Sequence, residues 1–525
     1  MSGAGSSEER ASSAGVSNER ASATAERLAA LTSWRADWSG LRVAVLGLGV
    51  TGFSVADTLT ELGSDVLVLA GAAADERADL VKVIGARLVQ RDLGSVPEEL
   101  VEFLPELIVV SPGFHPDHPI LEWAREQGVA VWGDIELAWR VRDKTGKPAE
   151  WICVTGTNGK TTTVQLTASM LVQAGFTAAP CGNIGIPVLD AVRDPQGFDF
   201  FVVELSSYQL HYLGRHGSPS PVSPLSSVCL NIADDHLDWH GSADAYRDAK
   251  AVVYENTRVA CVYNRADRVT ERMVQEAEVV DGARAVGFGL DVPGPSDFGV
   301  VDGILCDRAF LEERSTSALE LTTVAELALV GLSAPHIVAN ILAASALARS
   351  AGVPVEAVRA TLLEFGLDAH RIQVVASAQD IEWIDDSKAT NPHAADASLA
   401  AYRSVVWIVG GLLKGVSIDR LVERHADHLR GAVVIGADRT EVLEAFARHA
   451  PTLTVIEVTA TETEHVMPEA VERAAEIAQP GDTVLLAPAA ASMDQFTDYG
   501  HRGRLFAAAV EEHVGGEADD RSASQ

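Results

Sequence analysis

Short apolar runs that alternate with helical segments constrain the fold of this chain more than any other feature. Most of these runs are β-branched and apolar on both faces, as the buried strands of parallel sheets are. They are Leu41–Gly47, Asp65–Leu69, Leu107–Val110, Trp151–Thr155, Phe200–Glu204, Ser226–Asn231, Val405–Gly410, Gly431–Ile435, Leu453–Val458 and Thr483–Ala487. Such strand–helix alternation predicts α/β domains built on parallel sheets.

The chain has 525 residues, which is enough for about three or four domains. A Gly- and Pro-containing stretch at 142–150 and a second break near 365–371 predict three domains, at residues 34–146, 147–367 and 368–514. Residues 1–33 and 515–525 are poor in large apolar side chains, and we expect both segments to be disordered tails.

The charge balance excludes several classes of partner. Lys and Arg number 41 and Asp and Glu number 74, so the formal net charge is −33. This acidity argues against nonspecific binding to nucleic acid and against docking on an anionic membrane. No secretory signal or membrane-spanning stretch is visible, and the five cysteines are scattered without a C-x-x-C pair. We therefore expect a cytoplasmic protein that binds neither nucleic acid nor membranes.

A first glycine motif, Gly-Leu-Gly-Val-Thr-Gly at 47–52, lies between a predicted strand and a predicted helix. Such glycines let the backbone approach a diphosphate at a helix N-terminus. A nicotinamide dinucleotide site would also carry an acid at the end of the second strand, where this chain has Ala70 and Gly71. The motif therefore favours a nucleoside diphosphate without redox chemistry, and leaves a dinucleotide or a purely structural turn as alternatives.

A second glycine motif, Val-Thr-Gly-Thr-Asn-Gly-Lys-Thr-Thr at 154–162, follows a strand and precedes a helix predicted over 163–174. This is the pattern of a phosphate-binding loop, in which backbone N–H groups hold phosphates and a hydroxyl ligates Mg²⁺. Lys160 would neutralise phosphate charge, the alternative being an ordinary solvated lysine. The predicted ATP-binding residues are Gly156, Thr157, Asn158, Gly159, Lys160, Thr161 and Thr162.

Several acids and a lysine follow these motifs. Glu204 ends a predicted strand, where it would hold Mg²⁺ or cap the next helix. The segment 231–240 contains Asp and His residues, and a metal site and a solvated loop explain it equally well. Lys250 lies in a helical segment, and its surroundings in the sequence predict a surface lysine.

These motifs together resemble those of the Mur ligases, the ATP-dependent amide ligases of peptidoglycan precursor synthesis. The resemblance runs in order from about residue 40 to about residue 510. The segments shared across the family are Gly156–Thr162, Gly182–Gly185, Glu204–Ser207, Asp235–Asp238 and His370–Arg371. The first glycine motif, Ser111–Gly113, Asp385–Pro392 and Ser492–Phe496 with Tyr499 favour the branch of the family that adds D-glutamate.

The resemblance implies a Rossmann-like N-terminal domain, a central ATP-binding domain and a Rossmann-like C-terminal domain. It implies a ligase that adds D-glutamate to UDP-N-acetylmuramoyl-L-alanine through an acyl phosphate, with ATP converted to ADP and phosphate. It also implies two Mg²⁺ ions and a carbamate on Lys250. This implied role replaces the prediction that Lys250 is an ordinary surface lysine. We expect the ligase to be a monomer.

The resemblance further assigns roles to individual residues. Catalysis would involve Lys160, His236 and Lys250, and the metal ions would be held by Thr161, Glu204, His236 and the carbamate of Lys250. The adenine nucleotide would contact Asn340, Arg371 and Asp386. The UDP substrate would contact Val50, Thr51, Ser111, Gly113, Asn183 and Ser206. D-Glutamate would contact Lys388, Thr390, Lys414, Ser492 and Tyr499.

Two other classes of protein explain less of the sequence. A nicotinamide oxidoreductase would account for the first glycine motif but leaves residues 156–162 without a role. A motor or regulatory NTPase that makes no amide bond would account for residues 156–162, but it does not require Asp385–Pro392 or Ser492–Phe496.

Overall fold

Three successive sheets organise the chain. The computed structural model describes residues 22–71, 75–214, 220–367 and 369–523. Its sheets contain five, nine and six strands and follow one another in the sequence. The prediction of a three-domain α/β protein with parallel sheets is therefore confirmed. No helix in the described ranges is long and apolar enough to cross a membrane.

The N-terminal sheet is wholly parallel and has the strand order β3-β2-β1-β4-β5. Its strands are β1 (Arg42–Leu46), β2 (Asp65–Ala70), β3 (Arg87–Gln90), β4 (Leu107–Val110) and β5 (Ala130–Gly133). Its helices are α1 (residues 22–30), α2 (Val50–Glu61), α3 (Asp75–Val83), α4 (Glu98–Phe103), α5 (Pro119–Gln127) and α6 (Asp134–Arg140). The order reverses between β1 and β4, which opens a crevice at their carboxyl ends.

Residues 22–33 correct the prediction of a disordered tail over 1–33. Helix α1 occupies residues 22–30, and Leu28 and Leu31 are buried in the same core as Trp38 and Leu41. The apolar residues are few, but two of them face the domain core, and burial of two leucines is enough to anchor a short helix. Residues 1–21 of the predicted tail lie outside the described residues.

The central sheet has the strand order β14-β13-β12-β11-β10-β9-β6-β8-β7, and only β12–β14 pair antiparallel. Its strands are β6 (Glu150–Thr155), β7 (Ala178–Gly182), β8 (Phe200–Glu204), β9 (Ser226–Cys229), β10 (Ala260–Asn264), β11 (Arg284–Phe288), β12 (Asp297–Val301), β13 (Ile304–Asp307) and β14 (Leu319–Thr323). Its helices are α7 (Lys160–Gln173), α8 (Val188–Arg193), α9 (Ser207–Leu213), α10 (Leu237–His240), α11 (Ala243–Ala251), α12 (Arg268–Glu276), α13 (Val324–Leu329), α14 (Pro335–Ser350) and α15 (Val355–Glu364).

The C-terminal sheet has the strand order β15-β16-β20-β17-β18-β19 and is parallel except for β15. Its strands are β15 (Gln373–Ala378), β16 (Ile381–Asp385), β17 (Val405–Gly410), β18 (Leu429–Ile435), β19 (Thr454–Glu457) and β20 (Thr483–Leu486). Its helices are α16 (Pro392–Leu399), α17 (Asp419–His425), α18 (Thr440–His449), α19 (Thr463–Ile477) and α20 (Tyr499–Ala523). Helix α20 continues through most of 515–525, so the tail predicted there is helical as far as Ala523.

In strands that lie in the middle of a sheet, successive residues point alternately into two apolar layers. In β17, Trp407 and Val409 belong to one buried cluster, whereas Val406 and Ile408 belong to another on the opposite face. Helices cover both faces, which is why these strands are apolar throughout. The polar segments that the sequence singles out follow the carboxyl ends of such strands, where parallel sheets place their ligand sites.

Candidate active site

The loop between β6 and α7 forms a tight turn over the start of α7. Gly156 and Gly159 have φ of 149° and 83°, which only glycine adopts readily. A Cβ on Gly159 would lie 2.4 Å from Oδ1 of Asn340, so the loop also needs glycine for space. The Lys160 ammonium donates to the carbonyl oxygens of Gly156 and Thr157, each at 2.9 Å. A lysine and a helix N-terminus together make an anion site.

Asn231, just after β9, holds this phosphate loop by its backbone. The backbone N–H of Asn158 donates to Oδ1 of Asn231 at 2.8 Å, and Nδ2 of Asn231 donates to the Asn158 carbonyl at 3.1 Å. The backbone N–H of Thr157 donates to the carbonyl of Asn231 at 2.9 Å. Three hydrogen bonds from one residue therefore restrict the conformation of the loop before any ligand binds.

Glu204, at the end of β8, is buried and faces the start of α7. It accepts hydrogen bonds from the Thr161 hydroxyl and from Nδ2 of Asn183, both at 3.0 Å. The next helix, α9, is capped by Ser206 in a capping box with Gln209, so Glu204 is not its cap. In the described part of the chain no three His, Cys, Asp or Glu side chains form a metal-binding group. Mg²⁺ on nucleotide phosphates needs only one or two protein oxygens, and the hydroxyl–carboxylate pair of Thr161 and Glu204 fits it.

Asp235 and His236 form a charged contact with the C-terminal domain. Asp235 lies 3.3 Å from Nζ of Lys414 and 3.6 Å from Nε2 of His236. Burial alone would raise the pKa of Asp235, but Lys414, His236 and Lys160 outweigh it and the pKa lies below its ordinary value. Burial, followed by the nearby lysines, lowers the pKa of His236 to about 4, so the imidazole is neutral near pH 7. A neutral imidazole is a metal ligand.

Lys250 is buried beneath the phosphate loop, contrary to the surface position that its sequence context predicted. The residue is only 2% exposed. Its ammonium group donates to the Gly156 carbonyl at 2.9 Å and to the Thr155 hydroxyl at 3.2 Å. No carboxylate forms an ion pair with it within the described ranges. Burial, followed by the charge of Lys160, lowers the pKa of Lys250 to about 7.

A cavity of about 730 Å³ joins this loop to the C-terminal domain. The predicted site residues that line it are Thr157, Asn158, Gly159, Lys160, Thr161, Asn183, Glu204, His236, Asn340, Arg371, Asp386, Lys388, Thr390, Lys414 and Tyr499. Nζ of Lys388 lies 5.3 Å from the centre of the Tyr499 ring, in cation–π contact. Asp386 accepts from the backbone N–H of Ile372 at 3.3 Å, and burial raises the pKa of its carboxyl group.

The first glycine motif lies in the crevice between β1 and β4 of the N-terminal sheet. A Cβ on Gly52 would lie 2.1 Å from the carbonyl oxygen of Gly47 and 3.0 Å from Oγ of Ser111. The backbone of the β1–α2 turn therefore packs directly against Ser111, and that hydroxyl is buried without a hydrogen-bond partner. Val50 and Thr51 begin α2 at this crevice, and Val50 is exposed.

Three family models match the chain, one on each domain. They are the Mur ligase MurD-like N-terminal domain over residues 41–133, the Mur ligase middle domain over residues 154–348, and the Mur ligase glutamate ligase domain over residues 370–490. The chain belongs to the Mur ligases. This assignment agrees with the resemblance that the motifs carry.

Individual proteins and structures resemble this Mur ligase along nearly its whole length. UDP-N-acetylmuramoylalanine--D-glutamate ligase of Leifsonia xyli subsp. xyli (strain CTCB07) is 69% identical over 509 residues, which cover 96% of this chain and 98% of that protein. The protein of the same name from Tropheryma whipplei (strain TW08/27) is 47% identical over 488 residues, covering 93% and 99%. The crystal structure of UDP-N-acetylmuramate-alanine ligase MurC from Thermotoga maritima has a TM-score of 0.51 at 18% identity, covering 90% and 99%. At that identity the structural likeness concerns the fold.

Some residues assigned by the family resemblance lie outside the cavity. Ser492 is buried after β20, where its carbonyl accepts from the backbone N–H groups of Gln495 and Phe496 at 3.1 and 2.8 Å. Lys250, Gly156 and Thr162 are buried and do not form part of the cavity wall. Val50, Thr51, Ser111, Gly113 and Ser206 do not line this cavity either.

The cavity also contains residues that were not predicted. Those with polar side chains are Asn231, Asp235, Asn264, Asp267, Arg268, His336, Asn391, His393 and Ser398. Asn231 and Asn391 lie in the segments 231–240 and 385–392, which the sequence analysis identified as functional candidates. Their polar side chains within those motifs were the signal that could have predicted them. His336 is half-buried near Arg371, and its partial burial, followed by that charge, lowers its pKa to about 4. Asp267 and Arg268 carry no sequence signal, because the turn after β10 reaches the cavity only through the sheet order.

Proposed function

We propose that this Mur ligase joins D-glutamate to UDP-N-acetylmuramoyl-L-alanine, with conversion of ATP to ADP and phosphate, in peptidoglycan precursor synthesis. The observation that carries the proposal is the shared cavity, which brings a phosphate loop from the central domain against basic side chains of the C-terminal domain. The names of the relatives at up to 69% identity support D-glutamate as the amino acid.

The reaction requires activation of the carboxylate, because an oxide anion is a poor leaving group. The L-alanyl carboxylate attacks the γ-phosphorus of ATP, which forms an acyl phosphate and releases ADP. The neutral amine of D-glutamate then attacks the acyl carbon, and the tetrahedral intermediate expels phosphate as the amide forms. Lys160 stabilises negative charge that develops on the transferring phosphoryl group.

Thr161 and Glu204 would hold one Mg²⁺, which neutralises phosphate charge when bound. The two side chains are already hydrogen-bonded at 3.0 Å and lie in the wall of the same cavity as Lys160. His236 and a carbamate on Lys250 would hold a second ion near the substrate carboxylate. The neutral form of His236 supports its role as a ligand.

The burial of Lys250 supports the proposed carbamate. A buried ammonium without a carboxylate partner is costly, and Lys160 donates to the same Gly156 carbonyl. The neutral amine, which is the form that adds CO₂, is therefore accessible near pH 7. Conversion to a carbamate replaces the positive charge on Lys250 by a negative charge, which would lie near the positive charges of Lys160 and of the proposed metal ion. That exchange of sign stabilises the site.

The substrates occupy different parts of the molecule in this proposal. The uridine diphosphate lies at the first glycine motif with Val50, Thr51, Ser111 and Gly113, and the muramoyl peptide extends past Asn183 and Ser206. The adenine nucleotide contacts Asn340, Arg371 and Asp386. Lys388 and Lys414 bind the two carboxylates of D-glutamate, with Thr390 and Tyr499 in the same cavity wall, and Ser492 stays a predicted contact from outside that wall. Closure of the C-terminal domain excludes water from the acyl phosphate.

We further propose that the enzyme acts as a monomer in the cytoplasm. ATP and a UDP-linked precursor are its substrates, and both belong to that compartment. The five cysteines are free thiols, each buried, which is consistent with a reducing environment.

Phosphate release in the presence of UDP-N-acetylmuramoyl-L-alanine and single amino acids tests the function. We expect release with D-glutamate, and none when either the muramoyl substrate or the amino acid is omitted. L-Alanine, L-lysine and meso-diaminopimelate serve as alternative acceptors in parallel reactions. Turnover with one of these and not with D-glutamate would show that the assigned amino acid is wrong.

A further inference from the structure

Two asparagines join the phosphate loop to the C-terminal domain. Nδ2 of Asn391 donates to Oδ1 of Asn158 at 2.9 Å, and Nδ2 of Asn158 donates to Oδ1 of Asn391 at 3.3 Å. Nδ1 of His393 lies 3.0 Å from the same Nδ2 of Asn158 and accepts its second hydrogen. The two amides are thus paired in both directions, across 233 residues of sequence.

Both partners are anchored within their own domains. The backbone of Asn158 is held by Asn231 through two hydrogen bonds, at 2.8 and 3.1 Å. Asn391 is buried and is the N-cap of α16, where its Oδ1 accepts from the backbone N–H of Ala394 at 2.9 Å. A shift of the C-terminal domain therefore either breaks the amide pair or displaces the phosphate loop.

The two asparagines also lie beside the residues that meet the substrates in the proposed function. Asn391 directly follows Thr390 and is three residues after Lys388, in the loop between β16 and α16. Asn158 precedes Lys160 by two residues. The central and C-terminal domains also meet at the Lys414–Asp235 ion pair, at 3.3 Å, and an ion pair depends far less on direction than a paired amide does.

We propose that Asn391, supported by His393, is a positioning residue that couples the loop between β16 and α16, which carries Lys388 and Thr390, to the phosphate loop. The amide pair forms only when the C-terminal domain is docked against the phosphate loop. The same contact therefore positions the groups that bind ATP relative to the groups that bind the amino acid. Neither asparagine side chain needs to touch the reacting atoms for this effect. The inference rests on the proposed function, because it assigns the coupling between the two halves of that reaction.

A double-mutant cycle tests whether the two side chains act as a unit. Asn391→Ser keeps an N-cap residue for α16 but removes the amide. Asn158→Ser removes the partner amide from the phosphate loop. We expect Asn391→Ser to lower kcat for amide formation about tenfold, with the KM for the UDP substrate unchanged. The double variant is expected to be no slower than the slower single variant. Losses that multiply, to about a hundredfold, would overturn the proposal.

Hydrogen exchange of the ligand-free protein gives a readout that does not require activity. We expect residues 156–162 to exchange faster in Asn391→Ser than in the wild type, because the loop loses its contact with the C-terminal domain. Thr323→Ala is the matched control, since it removes the N-cap of α13, far along the sheet from the loop. Unchanged exchange in Asn391→Ser, or an equal change in the control, would overturn the coupling.

Two further measurements distinguish a misfolded variant and a wrong function from a failure of the proposed coupling. If Asn391→Ser fails to fold, His393→Ala removes the third contact at an exposed side chain and is expected to change exchange in the same direction by less. If the wild type forms no D-glutamyl product, the proposed function fails, while the exchange comparison still decides whether the two loops are coupled.

Discussion

Two lysines donate to one backbone carbonyl, that of Gly156, at 2.9 Å each, and their surroundings give them different chemistry. Lys160 lies in the wall of the cavity, whereas Lys250 is enclosed behind the loop. A charge facing the cavity remains available to phosphate, and an enclosed charge without an acid partner tends to lose its proton. At the scale of single residues, position rather than residue type separates their roles.

Lys160→Ala is expected to lower the rate of phosphate release by orders of magnitude, because the loop would lose the cation proposed to stabilise the transferring phosphoryl group. The measurement is phosphate release with all three substrates at saturation. Lys147→Ala is a matched control, since that side chain is 85% exposed. Retention of more than about a tenth of the activity in Lys160→Ala would contradict the role of this lysine.

Lys250→Ala is expected to abolish ligation and to recover part of it when acetate or another short carboxylic acid is added. The added acid would supply the oxygen ligands that the proposed carbamate would provide in the wild type. Carbon-13 NMR of wild-type protein equilibrated with labelled bicarbonate should show a carbamate signal that is absent in the variant. Full activity of Lys250→Ala without bicarbonate or acetate would rule out the carbamate.

At the scale of secondary-structure elements, the strands that the sequence revealed are those buried on both faces. Phe200–Glu204 and Val405–Gly410 were predicted with the bounds that the structure has, since every residue in each is buried. The edge strand Arg87–Gln90 was not predicted, because its ends are exposed and its composition is mixed. A strand that is only half covered by helices does not need the apolar pattern that makes a buried strand visible.

Helix α1 offers a test of the corrected N-terminal boundary. Leu31→Ala removes a side chain that is 2% exposed, and we expect the free energy of unfolding to fall by about 2–5 kcal/mol. Leu329→Ala, at a leucine that is 86% exposed, is the control and should change it by less than about 0.5 kcal/mol. Urea denaturation measures both. Equal stability of the two variants would mean that the segment before residue 34 contributes nothing to the core.

At the scale of the whole molecule, the domains meet through polar side chains as well as through apolar surface. Asp134, at the start of α6, accepts from Nε2 of Gln209 on α9 at 2.9 Å. Its second carboxylate oxygen is buried without a hydrogen-bond partner. Burial raises the pKa of Asp134 to about 6, even though Gln209 and the helix N-terminus oppose the shift. The contact between the N-terminal and central domains therefore contains a carboxylate that is costly when charged.

Asp134→Asn should make the protein more stable at pH 7. A carboxyl group whose pKa is higher in the folded state binds more protons there, so its contribution to stability falls as pH rises from about 4 to about 6. Asparagine removes that loss, and we expect the gain over the wild type to be present at pH 7 and small at pH 4. Urea denaturation across this range measures it, with Asp79→Asn at a 75% exposed carboxylate as control. A gain that does not depend on pH would contradict the assigned cause.

The amino-acid sequence by itself determined the features that depend on contiguous segments. The phosphate loop at 156–162, the acid at the end of β8 and the order of buried strands are local patterns, because a turn or a buried strand constrains its own residues. The family followed from the same segments and agrees with the models that match all three domains.

Only the tertiary structure decided which distant residues meet. Lys250 lies under a loop 95 residues away, Asn391 pairs with an asparagine 233 residues away, and Leu28 is buried although large apolar residues are few in the segment around it. Burial, and with it the pKa of Lys250, depends on everything that packs around a side chain. That packing is set by sheet order and domain contact, neither of which a local pattern encodes.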